Sequence, residues 1–348
     1  MARGGFAEDI SACCTLHRSL GLPYTDASRH ALPDMWRAMI SKGMMKLFLV
    51  EDRVRPLGSR IVSFNAIVFV TDEFCSEARS TFPPYLGVEL ARQYLSRQLP
   101  VLNREDVARA NGRDGLNVLL CFEGWAQDGF SSEQFLMIRE KQSEALHLAL
   151  NGYRVKEFLA DPIGANTSQW MLDAGARLRR DYSNYFRENH ILKPESSRQP
   201  CLLGLSKEEA FTHPGSNLAT LFIYAPPRFH FTRSQRVLLR HALMGETCET
   251  LATSLSLSPW TVKKRWHAIY ERVTDVDSEL LPPPIANSPC ATSRGPERRR
   301  RLLNYLRQHP EELRPYEPPR RRRRGVRGTL VRALQNSTRR SSMRSRSG

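Results

Sequence analysis

Several things are missing from this sequence, and each absence removes a class of answer. No run of about 18 apolar residues occurs anywhere in the 348, so no transmembrane helix is expected. The N-terminus, MARGGFAEDISACC, has acidic residues and no long apolar core, which argues against a signal peptide. The 7 cysteines (Cys13, Cys14, Cys75, Cys121, Cys201, Cys248 and Cys290) show no Cys-x-x-Cys spacing with partner histidines. An odd number without a framework reads as reduced thiols in the cytoplasm, with no metal site. There is also no P-loop, no Gly-x-Gly-x-x-Gly, no Gly-x-Ser-x-Gly and no His-Glu-x-x-His. On these grounds the chain is expected not to be an enzyme and to hold no cofactor.

Lysine is absent from the end of the chain, where arginine is abundant. Residues 285–348 hold 18 Arg, no Lys and 4 acidic residues, a net +14. Residues 228–273 carry +5, residues 274–284 carry −3, and residues 1–227 balance 26 basic against 26 acidic groups. The overall +16 therefore sits at one end, which points to a polyanionic partner there.

The stretch 231–273, FTRSQRVLLRHALMGETCETLATSLSLSPWTVKKRWHAIYERV, has three helical patterns with tight punctuation. Thr232 can cap the first, with Val237, Leu238, Leu239, Ala242 and Leu243 at helical spacing. Gly245 suits a C-terminal left-handed position. Thr247 caps the second, which aligns Leu251, Ala252 and Leu255. Ser258 caps the third, Pro259 fits its first turn, and Val262, Trp266, Ile269 and Tyr270 make its apolar stripe. The opposite face presents Lys263, Lys264 and His267, with Trp260 and Thr261 at its start. That composition suits a recognition helix in the major groove. A solvated basic face is the structural alternative.

The same stretch resembles the LuxR-type helix-turn-helix domain of bacterial transcription regulators. The match is carried by Phe231-Thr232, Gly245, Leu251-Ala252, Leu255, Ser258, Thr261-Val262-Lys263 and Ile269-Tyr270, without a gap over 43 residues. The resemblance implies double-stranded DNA as partner and Lys263, Lys264 and His267 as DNA-facing positions. Thr247, Ser258, Trp260, Thr261 and Arg265 complete the expected interface. Ser234, Thr250 and Arg265 depart from the family pattern. The family's dimerising fourth helix is replaced after Val273 by TDVDSELLPPPIANSP, which weakens the implied homodimer on a two-fold site.

The first 227 residues mix strand-like and helix-like runs. MMKLFLVED and SRIVSFNAIVFVTDEF (59–74) read as strands, as do NVLLCFEGW (117–125), CLLGLS (201–206) and ATLFIYAPP (219–227). Helices are expected over 33–42, 87–98, roughly 131–160 with a break near Asn151-Gly152, and 167–188 with a weak point at Gly175. Glu51 and Asp52 follow LFLV, but the phosphoacceptor receiver pattern does not continue after them. The order around 117–150, with LDAGARLRRDY at 172–182, faintly resembles the acetyltransferase-like fold. Its cofactor loop position holds EGWAQDGFS (123–131), which lacks that family's Arg/Gln-x-x-Gly-x-Gly/Ala run, so the resemblance implies a degenerate acyl-CoA site. Trp125, Phe130, Trp170 and Tyr182 are candidate pocket aromatics, with core packing as the alternative reading. His213 and His230 are expected at the surface.

The expected architecture is an α/β or α+β domain with a mixed sheet at 1–227, acting as sensor. A helix-turn-helix domain follows at 228–281, then a Pro-rich linker at 282–296 and an accessory helix at 297–316. That helix places Leu302, Leu303 and Leu306 on its apolar face. A disordered Arg-rich tail at 317–348 adds phosphate contacts. The expected function is a sequence-specific DNA-binding transcriptional regulator with an unspecified small-molecule signal. The alternative is an acyltransferase-like enzyme, or a degenerate acyl-CoA-binding domain, targeted to DNA.

Overall fold

In the computed structural model, residues 1–126, 129–282 and 295–318 are described. Met1–Glu317 forms one compact unit, and Pro318–Gly348 is set off as another. The expected Pro-rich linker and Arg-rich tail lie almost wholly outside the described residues.

The chain begins with β1 (Ala2–Gly4), α1 (Ile10–Arg18), α2 (Asp26–Ser41), β2 (Met45–Glu51) and β3 (Ile61–Val70). It continues through α3 (Asp72–Ser80), α4 (Leu86–Leu95), α5 (Arg104–Asn111) and β4 (Leu116–Trp125). Then come α6 (Ser132–Leu150), β5 (Val155–Ala160), α7 (Ala165–Asp173), β6 (Arg177–Arg180), α8 (Ser183–Glu188), β7 (Leu202–Ser206) and α9 (Lys207–Thr212). The last described helices are α10 (Arg233–Leu243), α11 (Cys248–Ser254), α12 (Pro259–Val276) and α13 (Gly295–Gln308).

The seven strands form one mixed sheet in the order β1-β2-β3-β4-β5-β7-β6. β4 and β5 run parallel, and every other neighbouring pair among the described residues is antiparallel. β3 is β-branched, aromatic and buried along nearly its whole length, because helices cover both faces of the sheet. On one face α1, α2 and α4 pack Cys13, Trp36, Met39 and Leu90 against Phe64, Leu119 and Phe122. On the other, α6 and the segments around it pack Ala145, Leu146 and Leu150 against Phe48, Val118 and Phe158.

Two irregularities shape the centre of the sheet. Ala66 pairs with Phe122 and Ile67 with Leu120, so Cys121 is an extra residue bulged out of β4. Cys121 and Phe122 consequently both join the core on the α1–α2 face, and Glu123 turns toward α6. The parallel pairing of β4 with β5 ends at Leu120–Ala160, and the Asp161 N–H donates to the Leu120 carbonyl at 3.2 Å. β4 continues to Trp125 along β3, while the chain after Asp161 leaves to bridge Ile163 with Pro200. The two central strands thus open into a fork.

Several expectations need correction. The run 219–227 is no strand; 218–222 coils into a short 3-10 turn whose Leu221 and Phe222 reach the α6-side core. A short apolar run is ambiguous between strand and turn until its packing is known. The helix expected over 167–188 is three elements, because Gly175 at φ +109° ends α7 and lets β6 turn onto the sheet edge. The helix expected to reach 160 stops at Leu150, as Gly152 at φ +83° turns the chain into β5. Pro33 does not start its helix; Thr25 caps α2, accepting from the Ser28 N–H, and Pro33 lies inside it.

Helices form at α10, α11 and α12 with the expected caps. The Thr232, Thr247 and Ser258 hydroxyls accept from the N–H of Gln235, Thr250 and Thr261. Each such cap is worth about 1 kcal/mol. Leu238, Leu251, Val262, Trp266 and Ile269 meet Leu302, Leu303 and Leu306 of α13 in one core. α13 ends at Gln308, before Pro310, and a 3-10 turn follows in place of a longer helix.

Candidate active site

Acidic groups belong at the surface, yet Glu123 and Asp161 lie at the fork with only 8% of each exposed. Glu123 is carried in by the bulged strand, and Asp161 follows directly on β5. Burial pushes the Glu123 carboxyl up to about 7, against the opposing pull of Arg139 and of the Ile163 N–H. Burial likewise pushes Asp161 up to about 7; the Leu86 N–H lowers it and the Glu123 charge raises it. Two carboxyls that desolvation holds near neutrality, in mutual contact through their fields, are the arrangement expected of proton-transfer groups.

Each carboxyl has an oxygen without a hydrogen-bond partner among the described residues: Oε1 of Glu123 and Oδ1 of Asp161. The Tyr182 hydroxyl is a third such atom. Tyr182 is 1% exposed, sits at φ 58°, and has the Arg180 guanidinium 4.7 Å from its ring centre. Burial raises its pKa far above that of a free phenol, with Asp161 adding to the rise. Buried polar atoms are rarely left unpaired, so three around one fork point to a ligand that completes them.

The other Asp161 oxygen accepts from the Leu86 N–H, the first N–H of α4, which Tyr85 at φ 69° aims at the fork. Gly87 follows; a Cβ there would stand 2.6 Å from the Cys121 carbonyl oxygen. On the α1 side the His17 Nδ1 donates to the Glu123 carbonyl at 2.7 Å, and its Nε2 lies 2.8 Å from the Tyr24 hydroxyl. Burial brings His17 down to about 4, so it is neutral at pH 7 and Nε2 accepts from Tyr24.

Toward α6 the site is polar and then aromatic. Arg139 donates to the Thr167 hydroxyl at 2.8 Å, and Gln142 donates to Ser63. The rings of Trp125 and Phe135 each lie 4.9 Å from the Arg139 guanidinium, and that of Trp170 lies 5.6 Å away. Burial lowers the Arg139 pKa and Glu123 restores part of it.

Three of the four aromatic candidates therefore belong to this region: Trp125 and Trp170 over Arg139, and Tyr182 near Asp161. Phe130 instead lies 5.0 Å from the Arg55 guanidinium. His213 meets Arg177 at the surface, and His230 stacks on Tyr316. Sequence reasoning missed Glu123, Asp161 and Arg139. A signal for the first was present, since a carboxylate interrupts the apolar strand run NVLLCFEGW.

The expected DNA-facing residues are placed elsewhere. Lys263, Lys264 and His267 are exposed on α12, and Thr261 and Arg265 are half-buried. Trp260 is exposed with Lys264 Nζ 5.2 Å from its ring, and His267 lies 3.1 Å from Glu271. Thr247 and Ser258 serve as caps. Among the described residues no helix is long and apolar enough to cross a membrane, and no group of three or more His, Cys, Asp or Glu could hold a metal ion.

No protein-family model matches this chain, and no curated relative does. Solved structures do resemble it. A mosquito arylalkylamine N-acetyltransferase-like protein 5b is 12% identical, with 59% of this chain and 99% of that one covered at a TM-score of 0.38. The C-terminal condensation domain of Ebony, bound to beta-alanyl-dopamine, is 10% identical over 59% and 98%, at 0.37. Naa20 of Chaetomium thermophilum, in complex with a bisubstrate analogue, is 9% identical over 61% and 90%, at 0.34. At these scores and identities they assign no activity to this chain.

They nevertheless correct the leading expectation. The neighbours described are acetyltransferase-like folds and nothing among them points to a LuxR-type regulator, so the LuxR-type identification is withdrawn. With it go the DNA partner, the regulatory function and the exclusion of enzymatic activity. The α12 face is physically intelligible without DNA: a solvated basic surface in which Lys264 and His267 already have partners on their own helix.

Proposed function

We propose that the fork between β4 and β5 is the active site of an acyltransferase that moves an acyl group from a thioester donor to an amine. The observation that carries this reading is the pair of buried carboxyls, Glu123 and Asp161, each with an unpaired oxygen and each held near pH 7. A base of that strength is best matched to proton transfer at neutral pH. The opened fork supports the donor's class, because strand backbone that has lost its sheet neighbour can pair with an extended, amide-bearing arm. A coenzyme A thioester has such an arm, and the orphaned oxygens of Glu123, Asp161 and Tyr182 fit its reacting end. An acyl-CoA supplies the activated carbonyl and a thiolate leaving group.

The chain's own groups divide the remaining work. Glu123, in its ionised form, takes the proton of the amine. Tyr182 and protonated Asp161 are O–H donors for the departing sulfur. Arg139 limits how far the Glu123 pKa rises, and the aromatic rings around it keep that region dry. No role is assigned to residues 127 and 128, which lie outside the described residues. We place the end of the sheet-bearing catalytic part at 227, and the chain in the cytoplasm, where buried Cys13, Cys14, Cys75 and Cys121 stay reduced.

The test is thiol release by the full-length chain with acetyl-, butyryl- and octanoyl-CoA against a panel of primary amines. Turnover should follow ionisation of a group near pH 7, and Glu123→Gln should reduce kcat/KM by about 100- to 10,000-fold. No thiol release with any pair, together with no thermal shift by any acyl-CoA, refutes the proposal.

A further inference from the structure

A second constellation lies at the other end of α6, whose last residue Leu150 is about 16 Å from Arg139 by helical rise, and the acyl-transfer reading does not use it. Its centre is Tyr153, 4% exposed, in the turn between α6 and β5. Lys46 Nζ of β2 and the Arg314 guanidinium each lie 4.8 Å from the Tyr153 ring centre. Arg314 is fixed there by donating to the Asn151 and Leu148 carbonyls at 2.8 and 2.9 Å. Arg240 and Arg236 enter from α10 and Arg104 from α5, close enough that the Arg104 and Arg240 charges add to the burial that lowers the Arg236 pKa, and the Arg104 and Arg314 charges to that which lowers Arg240.

Five basic side chains from four parts of the chain therefore converge, and burial lowers the Lys46 pKa first of all. No carboxylate among the described residues forms a salt bridge with any of the five. The nearby Glu105 pairs with Arg233 at 3.7 Å. Arg104 Nη2 and Arg236 Nε are buried without a hydrogen-bond partner among the described residues. Burial alone would raise the Tyr153 pKa, yet Lys46, Arg314 and Arg240 bring it down to about 8. Uncompensated like charge in a partly desolvated place is costly, and it marks a site whose counter-charge comes from outside the chain.

The cluster opens onto a cavity of about 540 Å³. Lys46 and Arg240 line it, and Phe48, Ala145, Leu148 and Ala149 make an apolar wall. Arg3 also lines it but is committed to Asp9 and Glu51. A cationic end beside an apolar wall suits a ligand with a charged head and an apolar body. We propose that this junction binds a small organic phosphate or diphosphate, its phosphoryl oxygens taken by Lys46 and Arg240 and its apolar part lying against Phe48 and Leu148. Because the cations come from β2, α5, α10 and the segment after α13, the bound anion ties the helical C-terminal segment to the sheet.

Tyr153 provides a local readout. Near pH 8 about half of it is ionised, and an anion bound beside it favours the protonated form. Titrating the full-length protein at pH 8 with inorganic pyrophosphate, and separately with 2-naphthyl phosphate, should raise Tm saturably. Pyrophosphate should also lower the tyrosinate absorbance near 295 nm. Tyr153→Phe should abolish the absorbance change while keeping the Tm shift. Lys46→Met and Arg240→Gln should each weaken binding at least tenfold, and Arg240→Gln should raise the Tm of the ligand-free protein by relieving repulsion. Lys141→Met, an exposed lysine elsewhere on α6, should change nothing. The proposal is overturned by any of three results: no saturable shift, a shift that chloride reproduces at equal ionic strength, or one that survives both Lys46→Met and Arg240→Gln.

Discussion

Replacing Glu123 with glutamine tests the centre of the site through stability as well as activity. Glutamine has the shape of the protonated acid but cannot ionise. In the folded chain the Glu123 pKa rises from 4.5 to about 7. The fold therefore disfavours the carboxylate, and its stability is greatest below the unfolded-state pKa. Between pH 4.5 and 7 the folded state holds a proton that the unfolded state has lost, so stability falls as pH rises and levels off above 7. At 1.36 kcal/mol per tenfold change in acidity the full fall is about 3 kcal/mol. Asp161 falls across an overlapping window and would blur a measurement on the wild type alone. The difference between wild type and Glu123→Gln isolates one carboxyl. Urea unfolding at pH 5, 6, 7 and 8 should show the two proteins nearly equal at pH 5. The variant should be more stable by about 2–3 kcal/mol at pH 8. Parallel profiles would refute the reasoning, since they would mean that Glu123 is ionised throughout, with Arg139 compensating it fully.

Four further substitutions probe the frame of the site and the C-terminal helices. Gly87→Ala puts a methyl group 2.6 Å from the Cys121 carbonyl, and urea unfolding should show a loss of about 1–3 kcal/mol as α4 shifts away from the fork. Leu306→Ala removes a side chain that is 1% exposed and shared between α13 and the α10–α12 core; a loss of about 2–5 kcal/mol is expected in the same assay. Lys263→Ala and Lys264→Ala, on the exposed face of α12, should each leave stability within about 0.5 kcal/mol, as judged by thermal unfolding.

How much of this was legible beforehand depends on the range over which each signal acts. The caps at Thr232, Thr247 and Ser258 and the apolar stripe of α12 were readable because they are local: a hydroxyl bonds three residues on, and a helix repeats every 3.6 residues. Yet a well-formed helical trio with a basic face does not name its partner, and the inference from shape to DNA is the step that failed. The strands β2, β3 and β4 were readable from β-branched and aromatic runs. β5 was not, because six residues following a long helix were absorbed into the helical pattern until Gly152 was seen to turn the chain. The fork was out of reach for a different reason. It depends on where the pairing of two strands stops, a fact about residues some 40 positions apart along the chain. The carboxyls acquire their chemistry only there. Glu123 was visible as a charge in an apolar run, but its direction depends on the bulge at Cys121, and Asp161 looked like the residue just past a helix. The Tyr153 cluster shows the same limit more sharply. Lys46, Arg104, Arg236, Arg240 and Arg314 are unremarkable one by one, and the last three fall within the net-positive end that reads as DNA-binding. Only the fold brings them together around one phenol, with no carboxylate among the described residues salt-bridged to any of the five, and that juxtaposition makes them a candidate site.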